Sequence, residues 1–183
     1  LKSKRLLLAR DRLGEKPLYY GWSGTQFVFA SELKAIVKVC KNQLQLDNEA
    51  ITMYLRCSYI PAPWSIYKGI YKLEAGYFLS IDINGQQIEK PKKYWDLFES
   101  VIHGKNNCFA GSEEEAVDEL EHLLGKSIRG RMLSDVPLGA FLSGGIDSTT
   151  VVALMQEQST VPIKTFTIGS SERGYDESPF ARE

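Results

Sequence analysis

The segment from residue 138 to residue 168 constrains the fold of this chain more than any other part. It begins with a short apolar strand at 138–142, continues through a glycine-containing turn and a helix at 149–158, and ends in a β-branched strand at 163–168. A strand, a helix and a strand joined within about thirty residues form a βαβ unit, with parallel strands and a right-handed crossover. This segment therefore predicts α/β structure built on a parallel sheet.

The turn of this unit contains residue types that bind phosphate groups. It reads Leu142-Ser143-Gly144-Gly145-Ile146-Asp147-Ser148. In an open parallel sheet, ligands lie beyond the carboxyl ends of the strands, where a helix N-terminus offers unpaired N–H groups and a partial positive charge. The glycines leave room for a phosphate, the serines add donors, and Asp147 can cap the helix or hold Mg²⁺ against phosphate oxygens. The predicted ligand is a polyphosphate; the alternative is a tight turn in which Asp147 or Ser148 is only an N-cap.

Comparison with known loop patterns restricts the class of phosphate-binding loop to which this turn can belong. The spacing differs from the G-x-x-x-x-G-K-S/T loop, and no lysine follows, which excludes a conventional kinase or GTPase loop. The turn instead resembles the S-G-G-x-D-S loop of the ATP pyrophosphatases from Ser143 to Ser148. Those enzymes bind the pyrophosphate end of ATP while an adenylate forms.

The resemblance extends over nearly the whole chain. The stretches LSDVPLGAFL and TFTIG, on either side of the loop, resemble the synthetase domain of glutamine-hydrolysing asparagine synthetases. The upstream stretches ARDRLGEKPLYY and ASELKA resemble the last third of the class II glutamine amidotransferase domain that precedes it. Shorter likenesses occur at residues 59–63, 68–70 and 175–178. The chain thus resembles the glutamine-hydrolysing asparagine synthetase family.

That resemblance implies a reaction and a set of binding residues. In the family, an N-terminal cysteine hydrolyses glutamine, ammonia passes through an internal tunnel, and Mg-ATP activates aspartate as an aspartyl adenylate. Ammonia then forms asparagine, with release of AMP and pyrophosphate. The implied cofactors are ATP and Mg, with Asp147 as the Mg ligand and with ATP contacted by Leu142, Ser143, Gly144, Gly145, Asp147, Ser148, Ile168 and Gly169. A β-branched side chain such as Ile168 also suits packing against an adenine.

The pattern along the chain predicts two domains of different class. Residues 1–95 are expected to be α+β, as the C-terminal portion of an Ntn-type amidotransferase domain, with a hairpin turn at Asn84-Gly85. Asp47 is expected to cap a helix that runs from about Asn48 to Arg56. Periodicity is lost after residue 90, which predicts a linker at 96–111. Residues 112–183 are expected to be the N-terminal portion of a Rossmann-like, α/β ATP-pyrophosphatase domain. A capping box at Ser112 and Glu115 begins its first helix, which runs to about residue 132.

Charge and hydropathy restrict the partners. The 22 basic and 23 acidic side chains give a net charge of -1, which supplies no broad field for nucleic acid or anionic lipid. No apolar run approaches the roughly 18 residues of a membrane span. We expect a cytoplasmic protein that acts on the small molecules ATP, aspartate and glutamine, without nucleic acid or membrane; a homodimer is left open.

The chain begins with Leu1 and lacks an N-terminal cysteine nucleophile. We therefore expect a fragment that is inactive alone, and we assign it no catalytic residue. Cys40, Cys57 and Cys108 lack the spacing of a zinc site or a redox pair.

Other functions remain open at this stage. A related amidotransferase could act on another carboxylate or on a sugar, and proteins of other classes are a tRNA-modifying ATP pyrophosphatase and a non-catalytic nucleotide-binding scaffold. Two local alternatives also remain. Asp176 and Glu177 either cap a helix or lie beside the nucleotide's metal. Arg10, Asp11 and Arg12 either serve an active site or form a structural pair that bridges a tight turn.

Overall fold

The computed structural model describes residues 4–40, 43–82, 87–172 and 174–182. The chain divides into two compact units, Leu1–Cys108 and Phe109–Glu183. Each unit combines helices with small sheets, so the chain is mixed α and β. Among the described residues, no helix is both long enough and apolar enough to cross a membrane.

The first sheet of unit 1 is antiparallel. Its members are β1 (Arg5–Ala9), β5 (Tyr77–Asp82), β6 (Gln87–Ile88) and β7 (Lys92–Lys93). The strands β1, β6 and β7 all pair with β5, which makes β5 the centre of the sheet. Leu79 and Ile81 alternate inward from β5 and are fully buried beside Leu8. The predicted turn at Asn84-Gly85 lies outside the described residues.

The second sheet of unit 1 is also antiparallel. It has the order β3-β2-β4, formed by β2 (Tyr19–Ser23), β3 (Gln26–Ala30) and β4 (Ile70–Lys72). Helix α1 (Leu33–Cys40) packs on it through Ile36 and Cys40, which form a buried cluster with Ile70. Helix α2 (Asn48–Cys57) begins where the sequence predicts, because the Asp47 carboxylate accepts the amides of Glu49 and Ala50.

Helix α3 (Leu97–Asn106) occupies most of the stretch predicted to be a linker. Asp96 caps it by accepting the Glu99 amide at 3.0 Å. The apolar residues of α3 stay exposed, and Gly104 interrupts the helical pattern near its end. Leu97, Phe98, Val101 and Ile102 recur at helical spacing, so the sequence does contain a helical pattern here. The linker prediction gave more weight to Pro91 and Gly104, which are typical of irregular segments.

Unit 2 follows the predicted alternation of helix and strand. Its elements are α4 (Glu113–Arg131), β8 (Gly139–Phe141), α5 (Ile146–Glu157), β9 (Lys164–Phe166) and α6 (Ser178–Ala181). The capping box at the start of α4 is confirmed, with both of its hydrogen bonds present. The strands β8 and β9 pair in parallel, from Gly139 opposite Lys164 to Phe141 opposite Phe166. Ile128 of α4 and Leu154 of α5 are buried together, and they fix the two helices against each other.

Helix α5 begins three residues earlier than predicted, at Ile146 rather than Thr149. Its N-cap is Gly145, which has extended backbone angles and no side chain with which to cap. The sequence therefore carried no side-chain signal for this helix start. As a result, Asp147 and Ser148 lie inside the first turn, and the interpretation of either one as the N-cap is wrong.

Candidate functional site

The loop of residues 142–148 lies at the carboxyl ends of two adjacent parallel strands. The Leu142 amide donates to the Phe166 carbonyl at 2.9 Å, which continues the β8–β9 pairing by one residue. The Thr167 hydroxyl donates to the Leu142 carbonyl at 2.7 Å. Ile168 and Gly169 follow directly along the chain and are exposed. The structure thus brings the end of β9 next to the start of the loop.

Two serine side chains close the loop on itself. The Ser143 amide donates to the Ser148 hydroxyl at 3.2 Å, and the two hydroxyls lie 2.9 Å apart. The Ser148 hydroxyl is also 3.2 Å from the Gly145 carbonyl, and the Ser143 hydroxyl accepts the Gly145 amide at 3.4 Å. The sequence predicted these hydroxyls as phosphate donors. In the structure they hold the loop's own backbone.

The two glycines of the loop differ in what surrounds them. Gly144 has φ +79°, a left-handed conformation, and a Cβ there would lie 2.5 Å from the carbonyl carbon of Phe180. Position 144 therefore requires glycine for both conformation and space. A Cβ at Gly145 would meet only the Ser143 hydroxyl, at 3.5 Å. The backbone at Gly145 is open to an approaching group.

The N-terminus of α5 begins at this open backbone. No side chain caps the helix, so the amides of its first turn lack side-chain acceptors. The aligned peptide dipoles place a partial positive charge at this end. Asp147 lies in the same turn and is exposed. The arrangement presents amide donors and one carboxylate to solvent, which is the combination that a metal-bound polyphosphate requires.

The donor set around Asp147 is sparse. Within the described ranges, no three His, Cys, Asp or Glu side chains come close enough together to hold a metal ion. Mg²⁺ keeps several waters and is commonly held by one or two carboxylates together with substrate phosphates. A single exposed carboxylate beside an uncapped helix N-terminus therefore fits Mg²⁺ that arrives with a nucleotide, and it does not fit a metal held by protein ligands alone.

Asp176 lies at the start of α6. Its carboxylate accepts the Ser178 hydroxyl at 2.6 Å and the Ser178 amide at 3.1 Å. These two hydrogen bonds lower the pKa of Asp176 below its ordinary value of 3.8. Glu177 is the N-cap residue and makes no side-chain cap. Of the two alternatives for this pair, the structure shows Asp176 bonded to the first residue of the helix.

Arg10 in unit 1 bridges a turn. Its guanidinium donates to the carbonyls of Gly14, Lys16 and Leu73 at 2.8, 2.9 and 2.7 Å. Beside it, the Glu15 amide donates to the Asp11 carboxylate and lowers the pKa of Asp11. Because all three Arg10 contacts are to backbone carbonyls, its role in the structure is to hold the turn.

The contact between Gly144 and Phe180 was not predicted. Residue 180 is a single aromatic that lies just beyond the likeness at residues 175–178, and the contact depends on how α6 folds back onto the loop. The same holds for the Thr167 hydroxyl, whose partner is a distant backbone carbonyl. The three cysteines remain separate: Cys40 is buried in the core, whereas Cys57 and Cys108 are exposed.

Two protein families match different parts of the chain. Residues 1–95 match the glutamine amidotransferase domain family, and residues 119–183 match the asparagine synthase family. The chain therefore joins amidotransferase sequence to synthetase sequence. It belongs to the family of glutamine-hydrolysing asparagine synthetases.

Individual relatives match almost the whole chain. A protein of Methanocaldococcus jannaschii assigned as glutamine-hydrolysing asparagine synthetase 2 is 41% identical over 99% of this chain. Glutamine-hydrolysing asparagine synthetase 1 of Bacillus subtilis is 33% identical over 96%, and amidase chyE of Penicillium rubens is 32% identical over 97%. This chain spans 34%, 26% and 27% of the three relatives, respectively, so it corresponds to about a third or less of their length.

Proposed function

We propose that this chain is part of an ATP-dependent and glutamine-dependent ligase that forms asparagine from aspartate through an aspartyl adenylate, with release of AMP and pyrophosphate. The observation that carries the proposal is the loop of residues 142–148. It joins a parallel strand to an uncapped helix N-terminus and leaves the backbone at Gly145 open. The family relationship supports both the ATP-dependent step and the use of glutamine.

We assign the pyrophosphate end of ATP to this loop. The binding residues are Ser143, Gly144, Gly145, Asp147 and Ser148, with Leu142, Ile168 and Gly169 on the adenosine side. The backbone amides at the start of α5 would donate to phosphate oxygens, and the helix dipole favours the negative charge. The two serines act on the loop itself, since their hydroxyls fix the backbone from Ser143 to Gly145.

The contribution of this chain to adenylate formation is charge stabilisation and orientation. Negative charge accumulates on the pyrophosphate as it leaves, and preorganised donors aimed at that charge lower the barrier. Asp147 is the residue that would hold Mg²⁺ against the phosphate oxygens. When bound, Mg²⁺ supplies Lewis-acid stabilisation of the same leaving group. The exposed Ile168 side chain would pack against the adenine.

We further propose a division of the chain by role. Residues 1–95 would be the C-terminal portion of an Ntn-type amidotransferase domain, residues 96–111 a linker that contains α3, and residues 112–183 the N-terminal portion of a Rossmann-like synthetase domain. The two compact units and the two family matches support this division. Glutamine hydrolysis is assigned to the amidotransferase part, with no catalytic residue placed in this chain.

The substrates in this proposal are ATP, aspartate and glutamine, and the reaction takes place in the cytoplasm without nucleic acid. The near-zero net charge supports the exclusion of nucleic acid. A homodimer is also part of the proposal.

One observation favours an acceptor substrate other than aspartate. Amidase chyE of Penicillium rubens and amidase chry2 of Gibberella zeae are 32% and 30% identical to this chain over 97% and 98% of its length. Similarity to the loop-bearing region therefore occurs in proteins with a different named activity. The alternative function is amide formation on a carboxylate other than that of aspartate, with the same use of ATP.

The test uses the intact protein that contains residues 1–183. ATP–pyrophosphate exchange is measured with aspartate and then with other carboxylic acids in its place, and glutamine hydrolysis is measured separately. The proposal expects exchange that depends on aspartate, together with glutamine hydrolysis. Exchange with another acid but not with aspartate would establish the second acceptor. No exchange with any acid would contradict an adenylate-forming function.

A further inference from the structure

Helix α6 packs against the candidate ATP loop at Gly144. The hypothetical Cβ at Gly144 would lie 2.5–2.6 Å from the carbonyl carbon, carbonyl oxygen and Cβ of Phe180. The Gly144 backbone and the Phe180 backbone are therefore in direct contact. Phe180 is 64% exposed, and the atoms nearest to Gly144 are its carbonyl group and its Cβ, so the contact does not depend on the ring. Any shift of α6 would free Gly144 from the contact that limits its backbone.

The position of α6 is set at its first residue. A helix of four residues, Ser178–Ala181, has few internal hydrogen bonds and needs outside contacts to stay in place. The Asp176 carboxylate supplies two such contacts, by accepting the hydroxyl and the amide of Ser178. Both residues are half-buried, which protects these bonds from exchange with water.

The same carboxylate also reaches the segment after β9. A Cβ at Gly169 would lie 3.6 Å from the Asp176 Oδ1 atom. The backbone of Ser170 is also near enough to contribute to the lowered pKa of Asp176, after the larger effect of Ser178. Asp176 therefore lies beside Gly169, three residues after β9, and is bonded to the first residue of α6. Within the proposed nucleotide site, Gly169 lies beside Asp176, whereas Gly144 is connected to Asp176 through Ser178 and Phe180.

We propose that Asp176 is a positioning residue for the ATP loop: by anchoring Ser178 it holds α6 in place, and α6 in turn holds Gly144 in its left-handed conformation. This inference rests on the proposed function, because it assumes that the loop of residues 142–148 binds ATP. Asp176 itself acts through hydrogen bonds to protein groups and touches neither the nucleotide nor its metal.

The experiment compares Asp176→Ala and Asp176→Asn in the intact protein, by ATP–pyrophosphate exchange at varied ATP concentration. Asp176→Ala removes the acceptor, and we expect the KM for ATP to rise about tenfold, since small misplacements of a binding group have effects of this size. Asn keeps an oxygen that accepts from Ser178. Asp176→Asn should therefore restore a KM close to that of the wild type.

Three controls separate this role from others. Glu177→Ala changes the neighbouring exposed carboxylate, which caps nothing, and Phe180→Ala keeps the backbone and Cβ that touch Gly144; both should leave the KM for ATP unchanged. Ser178→Ala removes one of the two bonds to Asp176 and should raise the KM less than Asp176→Ala does. Its milder effect provides a readout if Asp176→Ala fails to fold.

Two results would overturn the inference. If Asp176→Ala lowered kcat with an unchanged KM for ATP, the residue would only maintain the fraction of folded protein. If Asp176→Asn were as defective as Asp176→Ala, the charge itself would matter, as for a metal ligand. Failure of the proposed function is distinguishable from both, because the wild-type protein would then show no exchange.

Discussion

The hydroxyls of Ser143 and Ser148 lie 2.9 Å apart and join the loop after β8 to the first turn of α5. Because the Ser148 hydroxyl also accepts the Ser143 amide, both side chains are engaged within the protein. The groups left for a ligand are the amides at the start of α5 and the Asp147 carboxylate. Binding of a polyphosphate at this loop would thus depend on the backbone and on one acid.

Replacing that acid gives the first prediction. Asp147→Asn keeps the size of the side chain and removes its charge, so the loss falls on metal and pyrophosphate stabilisation. We expect ATP–pyrophosphate exchange in the intact protein to fall roughly a hundredfold, or about 3 kcal/mol, as when one transition-state interaction is removed. Glutamine hydrolysis measured on the same preparation should be largely unchanged. Equal loss of both activities would point to misfolding instead of a role in the ATP step.

Gly145→Val tests the open backbone of the loop. The site has room for a Cβ, and its extended backbone is one that valine adopts readily, so the protein should fold normally. The β-branched side chain would occupy the place of the phosphate and abolish exchange without any change of charge. Exchange and thermal unfolding are measured together. Normal exchange in both Gly145→Val and Asp147→Asn would show that the loop is only a tight turn.

Arg10→Lys tests the turn in unit 1. A lysine offers one ammonium group and cannot reproduce the planar geometry that reaches Gly14, Lys16 and Leu73 together. We expect a loss of about 2 kcal/mol in the free energy of unfolding, because partly buried carbonyls lose charged donors. Urea denaturation of the wild type and of Arg10→Lys measures this loss in the free energy of unfolding.

Arg12→Lys is the matched control for Arg10→Lys. Its guanidinium lies 6.0 Å from the centre of the Trp95 ring and is exposed, so its replacement should cost less than about 1 kcal/mol. Equal effects of the two substitutions would contradict the bridging role of Arg10.

Asp96 gives a prediction for pH. A hydrogen bond from Lys93, followed by one from the Glu99 amide, lowers the pKa of Asp96 below its ordinary value of 3.8. A carboxyl with a lowered folded-state pKa stabilises the protein above its unfolded pKa, and this contribution disappears as the pH falls through the folded pKa. The stability advantage of the wild type over Asp96→Asn should therefore be complete near neutral pH and shrink below pH 3.8.

Urea denaturation of both proteins across this range checks the pH prediction. Asn retains the oxygen that caps α3, so the comparison isolates the charge. Glu119→Gln, an exposed change on α4, is the control that should show no such trend. An advantage that grew as the pH fell would contradict the assignment.

Local signals in the sequence predicted some elements well. The capping residues Asp47 and Ser112 predict the starts of α2 and α4, because a capping side chain bonds to amides only two or three residues away. The parallel pairing of β8 and β9 follows from the strand–helix–strand order. The start of α5 was missed because its N-cap is a glycine, and α3 was missed because Pro91 and Gly104 favoured a linker over a helix.

Contacts between distant residues were beyond the reach of the sequence. The loop was found from its motif, yet the support of Gly144 by Phe180 requires the tertiary arrangement of α6. The same applies to Arg10, whose three carbonyl partners include Leu73, far along the chain. Motifs describe which groups a site offers, whereas the groups that hold a site in shape come from any part of the chain that packs against it.

The most direct test of the ATP-loop assignment is a structure of the intact protein with Mg²⁺ and a non-hydrolysable ATP analogue. The assignment predicts phosphate oxygens within about 3 Å of the backbone amides between Gly144 and Ser148. It also predicts Mg²⁺ between these phosphates and Asp147, with the adenine next to Ile168. An analogue bound elsewhere, with this loop unchanged and free of phosphate, would contradict it.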